Sequence, residues 1–265
     1  MKNTFLLSFV LIFLVTSNVF ASSDFTFSNI KPDDFFGHDI ELIGDLDGDG
    51  VTDIAVGAHK NYSPGSEMKR VGAVHILFLN SDGTVKSSQE ISDTKGNFKG
   101  IIKDNNVFGI DLTNLNDLDG DGVTDIAVGA FGDNDGANSA GAVYILFLNS
   151  DGTVKSSQKI SSAEGNFKER LEPEDSFGFS LSKLGDLNGD GVTDIVVGSP
   201  QRYYSDSKLS PLHILFLNSD GKVISFETIP KQHNVENIFD GLYFLLIILL
   251  IVIISVLLII FFVSN

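Results

Sequence analysis

Three short segments of this chain set carboxylates at alternate positions around glycines. They read Asp45-Leu46-Asp47-Gly48-Asp49-Gly50-Val51-Thr52-Asp53, Asp117-Leu118-Asp119-Gly120-Asp121-Gly122-Val123-Thr124-Asp125 and Asp186-Leu187-Asn188-Gly189-Asp190-Gly191-Val192-Thr193-Asp194. Oxygen donors every second residue, on a backbone that glycine lets turn sharply, suit a hard cation such as calcium. Thiol and imidazole chemistry have little to work with. The chain has no cysteine, and its five histidines, His38, His59, His75, His213 and His233, are scattered without metal-ligand spacing.

The first six positions of each segment also fit an EF-hand loop, which would close on a bidentate glutamate at position twelve. Position twelve is Val56, Val128 or Val197 here, and an aspartate already stands at position nine. The loop therefore closes early, and an apolar run of strand type follows it. No nucleophile, base or oxyanion motif accompanies the carboxylates, so an enzyme is not expected.

Each loop sits in a repeat of about seventy residues. A second landmark, Ile76-Leu77-Phe78-Leu79-Asn80-Ser81-Asp82-Gly83, recurs at 145–152 and 214–221. One repeat parses into four strands. The first runs from Phe36-Gly37 to Ile43, the second over Asp53–Ala58, and the third over Val71–Leu79. An Asp-Gly hairpin turn leads to the fourth, Thr84–Gln89. The middle strands are apolar on both faces and so must be covered on both. The fourth is polar and carries a lysine, as suits an exposed edge. Four-stranded sheets stacked against their neighbours, one per repeat, make an all-β fold of β-propeller type. Three sheets fall short of the usual four to eight, so the expectation is an incomplete ring or one completed by a second copy of the chain.

The charge of −17 argues against nucleic acid as a partner. The two ends are apolar for different reasons. Residues 1–21 read as a secretory signal, with Lys2 ahead of an apolar run. Leu242 to Val263 is an uncharged stretch of 22 residues. As a helix it spans roughly 33 Å, enough to cross a bilayer. It is expected to be a single C-terminal transmembrane helix, preceded by a linker over 231–241 and followed only by Ser264 and Asn265. A lipid-anchor signal is the rival reading.

The repeats resemble the FG-GAP repeats of the integrin alpha-subunit propeller and its bacterial relatives. Phe36-Gly37, Phe108-Gly109 and Phe177-Gly178 match the first half of that motif. Val71-Gly72-Ala73-Val74 and Ala140-Gly141-Ala142-Val143 match the second half, with valine in place of proline. The resemblance covers residues 22–230, as repeats at about 36–100, 108–170 and 177–230. Repeat three departs from it with Ser210-Pro211-Leu212, so its third strand is expected to pack differently.

The resemblance implies up to three calcium ions. Their ligands would be Asp45, Asp47, Asp49, Asp53 and the Val51 carbonyl, then Asp117, Asp119, Asp121, Asp125 and the Val123 carbonyl. In the third loop they would be Asp186, Asn188, Asp190, Asp194 and the Val192 carbonyl. Asn188 removes one charge, so the third site should be the weakest. The function implied is that of a calcium-binding, membrane-anchored cell-surface protein with its repeats outside the cytoplasm. It would bind an extracellular protein or glycan through the loops at 58–70, 131–139 and 199–210. The alternatives are a structural surface module without a dedicated ligand, or an accessory propeller subunit of a larger surface enzyme.

Overall fold

Strand alternation and the hairpin turns lead to three four-stranded antiparallel sheets in the computed structural model, which describes residue 30 and residues 34–60, 71–200 and 210–229. The first blade comprises β1 (Phe36–Gly44), β2 (Asp53–Ala58), β3 (Ala73–Leu79) and β4 (Val85–Ile91). The second comprises β5 (Leu112–Asn116), β6 (Asp125–Ala130), β7 (Ala142–Leu148) and β8 (Val154–Ile160). The third comprises β9 (Ser180–Gly185), β10 (Asp194–Gly198), β11 (Leu212–Leu217) and β12 (Val223–Ile229). Each blade is a simple meander in chain order. The first strands lie side by side, β5 between β1 and β9. The expected signal at 1–21, linker at 231–241 and helix at 242–263 lie outside the described residues. So do the loop residues 61–70 and 201–209. Among the described residues no helix is long and apolar enough to cross a membrane.

The fourth strand, expected over Thr84–Gln89, runs Val85–Ile91 as its pairing with β3 continues to Val74. Two other strand limits differ from expectation for one reason. Val71 and Gly72 do not extend β3, and Phe108 and Phe177 do not open β5 and β9. These residues join one blade to the next instead. Gly72 bridges Phe108 in parallel, and Gly141 bridges Phe177. The Phe108 amide donates to the Val71 carbonyl at 3.1 Å, and the Phe177 amide donates to the Ala140 carbonyl at 2.9 Å. The phenylalanine of each Phe-Gly pair thus becomes an inter-blade wedge. Phe108 stacks on Phe98 and meets Tyr144 edge-on. Phe177 stacks on Phe167. Both wedges are fully buried.

The core lies between blades. Val74, Ile76 and Phe78 of β3 share one cluster with Ile126, Val128, Tyr144 and Leu146 of blade two. Val143, Ile145 and Phe147, at the same register positions of β7, share the next with Ile195, Val197, Leu215 and Leu217 of blade three. Strands β6 and β7 are therefore buried at every position, which accounts for their apolar sequence beyond Asp125. Strand β11 pairs with β10 in the register of the other blades, so Ser210-Pro211-Leu212 does not change its pairing. Its cover is what differs. Leu212, the counterpart of Val74, is 42% exposed, and Ile214 and Phe216 are half-buried. The three blades form an arc and do not close a ring.

Candidate metal centres

Each candidate loop hangs between the first and second strands of its blade, and its own carboxylates fold it. Asp45 accepts hydrogen bonds from the amides of Asp49 at 2.9 Å and Gly50 at 2.8 Å. Asp47 accepts from the Asp49 amide, and Asp49 accepts from the Val51 amide at 2.9 Å. The second loop repeats this pattern through Asp117, Asp119 and Asp121. The third does so through Asp186, Asn188 and Asp190. Gly48 and Gly50 hold φ of +79° and +87°, with open space where a Cβ would stand. The backbone course, not crowding, is what calls for glycine there.

Carboxylate oxygens of Asp45, Asp47 and Asp49 converge within 4.8 Å of one another, and those of Asp117, Asp119 and Asp121 do the same. Three hard oxygens at that spacing could contribute to holding a hard cation such as calcium. The ninth-position aspartates do not belong to these groups. Asp53 is fully buried and accepts from the Leu46 amide at 2.9 Å and the Leu79 amide at 3.0 Å. Asp125 holds the Leu118 and Leu148 amides, and Asp194 those of Leu187 and Leu217. Each therefore ties the start of its loop to the end of the third strand. Only the second lone pair of each oxygen remains for a cation. Burial pushes the Asp125 carboxyl up to about 7, against the pull of its two amide donors.

A cation already occupies the first two clusters, and it comes from the chain itself. Lys86 on β4 places its Nζ 2.6 Å from the Oδ2 of both Asp47 and Asp49. Lys155 on β8 bridges Asp119 and Asp121 in the same way. These contacts hold the Asp49 and Asp121 carboxyls below their usual range and raise both lysines above theirs. The edge-strand reading of the lysine missed this. A sequence signal existed, because the lysine stands at one position in repeats one and two and is Ile224 in repeat three, where Asp also becomes Asn188.

The inner strands carry a second set of carboxylates that sequence reasoning missed. Asp39 Oδ2 accepts the Leu112 amide at 2.7 Å, and Glu41 accepts the Asn114 amide at 2.9 Å, so both reach from blade one to blade two. Asp111 likewise accepts the Leu181 amide of blade three. Burial pushes Asp111 up to about 7, and the neighbouring Asp39 carboxyl, which hydrogen-bonds it, pushes the same way. An aspartate pKa raised on folding means that the folded state binds more protons between its ordinary pKa and 7. Its contribution to stability therefore grows as pH falls through 7 and is lost as pH rises. In chelator the melting temperature should fall from pH 5.5 to pH 8, and Asp111→Asn should flatten part of that slope. A slope unchanged by Asp111→Asn would refute the assignment.

Of the expected binding loops, residues 131–139 are fully described. Phe131, Gly132 and Ser139 line a cleft of about 460 Å³ together with His38, His59, Lys60 and Phe179. The cleft brings the loop after β6 beside the end of β2 and the approaches to the inner strands.

The sequence matches the FG-GAP repeat family over residues 40–77 and 177–223, and the FG-GAP-like repeat family over 117–197. Integrin alpha ina-1 of Caenorhabditis elegans is 36% identical over 177 residues, 64% of this chain and 15% of that protein. Integrin alpha-2 of Mus musculus is 29% identical over 192 residues, 68% of this chain and 15% of the relative. Integrin alpha-V of Gallus gallus is 32% identical over 181 residues, covering 67% and 16%. The chain thus spans about 15% of the length of these relatives.

Proposed function

The chain carries FG-GAP repeats and is homologous to integrin alpha subunits, and on that premise we propose that it is a calcium-binding, membrane-anchored cell-surface protein with an adhesion or partner-binding role. The observation that carries the calcium reading is the twofold convergence of three carboxylates on a position where the chain itself lodges a cation. The ligands are Asp45, Asp47 and Asp49 with the Val51 carbonyl, and Asp117, Asp119 and Asp121 with the Val123 carbonyl. Asp186, Asn188 and Asp190 with the Val192 carbonyl form the weakest site. Asp53, Asp125 and Asp194 hold the loops in place and lend their remaining lone pairs. The cation's part is to fix loop and strand geometry, and the chain has no catalytic role of its own.

Homology supports the adhesion half of the reading. The partner is an extracellular protein or a glycan, met by the loops after the second strands. The apolar sequences at 1–21 and 242–263, read as a secretory signal and a membrane anchor, support repeats held outside the cytoplasm. The face of blade three at Leu212, less covered than its counterparts among the described residues, is where a second copy would continue the ring.

The test is to melt the chelated full-length protein with and without millimolar calcium, and to present both forms to a protein and glycan array. A ligand bound only by the folded state at a hundredfold excess over its dissociation constant adds about 2.7 kcal/mol per site. The melting temperature should rise, and partner capture should need calcium. An unchanged melting temperature removes the calcium half, and capture that persists in chelator removes the link between the two.

A further inference from the structure

We infer that Lys86 and Lys155 are tethered competitors for calcium, each filling its loop when metal is absent and having to leave when metal enters. The inference rests on the calcium reading above and adds to it a control built into the outer strand of each blade.

The geometry is the same in two independent places. In loop one, Asp45 and the inner oxygens of Asp47 and Asp49 are engaged by loop amides. The outer Oδ2 atoms of Asp47 and Asp49 take no loop amide, and both hold the Lys86 ammonium. In loop two Lys155 holds Oδ2 of Asp119 and Asp121. Each lysine comes from the second residue of the fourth strand and reaches back over its own blade, 34 to 39 residues along the chain. An ammonium bridging two carboxylates relieves the repulsion that a metal-free cluster would suffer. The same two oxygens cannot hold an ammonium and a calcium ion together.

Repeat three is an internal control. The lysine position is Ile224, 52% exposed, and the third loop position is Asn188. The Asn188 amide donates to Asp190 Oδ2 at 2.9 Å. That oxygen corresponds to the one that the lysines take on Asp49 and Asp121. The third loop thus meets the same need with a neutral donor and one carboxylate fewer, and the lysine is gone. Loss of the charge and loss of its counter-charge occur together, as expected if the lysine serves the cluster and not the strand edge. A solvated edge lysine would have no reason to follow Asn188.

The experiment is calcium binding by equilibrium dialysis, with melting in chelator as a second readout, on the full chain and on Lys86→Met/Lys155→Met. Breaking a solvent-exposed ion pair changes an equilibrium by about two- to fivefold. Two sites should tighten by at least that factor while the third stays unchanged, and the melting temperature in chelator should fall. Lys86→Gln/Lys155→Gln keeps a donor without the charge. It should show the same tightening with a smaller loss in chelator, and it serves if the methionine variant does not fold. Binding by the variants but not by the parent would also support the proposal, in the form that the lysines exclude the metal. Equal calcium affinity in parent and variants would overturn it and leave the calcium reading standing. Absence of calcium binding in all of them would overturn both.

Discussion

Gly141→Ala should lower the melting temperature by roughly 4–20 °C, at the scale of 2–4 °C per kcal/mol for a chain of this size. Gly141 forms the bridge between blades two and three at a φ of +94°. A Cβ there would lie 2.1 Å from the Phe177 carbonyl oxygen and 2.4 Å from its amide nitrogen. Both are backbone atoms, so no side chain can rotate away. The left-handed backbone costs an alanine about 1–2 kcal/mol. Prising the blades apart adds roughly 1–3 kcal/mol. Gly83→Ala is the control, because Gly83 has a φ of +82° with nothing within 4 Å of its Cβ position. It should show the first cost without the second. Equal losses in the two variants, measured by thermal melting, would mean that the blade junction is not as tight as described.

Asp125→Ala should cost about 4 kcal/mol even in chelator, since two buried amides each lose a partner worth about 1–3 kcal/mol. Those amides belong to Leu118, at the head of the loop, and Leu148, at the end of β7. One substitution therefore frees both the loop and the strand that backs it. Asp125→Asn keeps one acceptor and should cost about half as much. Asp121→Ala makes the informative contrast. Its inner oxygen serves only an exposed amide, so in chelator it should cost little, and its main effect should appear once calcium is added. The comparison is best made at pH 8, where the Asp125 carboxyl is ionised. If Asp125→Ala is harmless in chelator, the buried aspartate is a metal ligand first and a structural tie second.

The second strand of the first repeat was legible to the residue, because Asp53–Ala58 follows a loop signal and is short and built of small and apolar residues. The turns at Asp82-Gly83 and Asp151-Gly152 announced themselves for a similar reason, since local backbone chemistry decides both. What could not be read was anything set by the approach of one blade to another. Phe108 reads as the start of a strand and instead wedges between sheets, and nothing in the sequence marks Asp39 as an acceptor for the next blade. Lys86 lies 37 residues from Asp49, and only the fold shows that the two meet. In the loops, spacing found the carboxylates but could not divide the labour among them. Positions one, three and five converge, while position nine turns inward to the backbone.

The placement of the core between blades bears on how such a chain can change length. A blade here owns no complete interior of its own; what it owns is two half-interfaces of opposite kind. Blade two shows both kinds filled, with the β7 residues Tyr144 and Leu146 facing backward and Val143 and Ile145 facing forward. An extra copy of residues 108–176, spliced in frame after the original, would present to each neighbour a surface that neighbour already fits. Gene duplication could therefore lengthen the arc without inventing a single new packing arrangement. Invention would be needed only at the two outermost faces, of which Leu212, Ile214 and Phe216 mark the one on blade three.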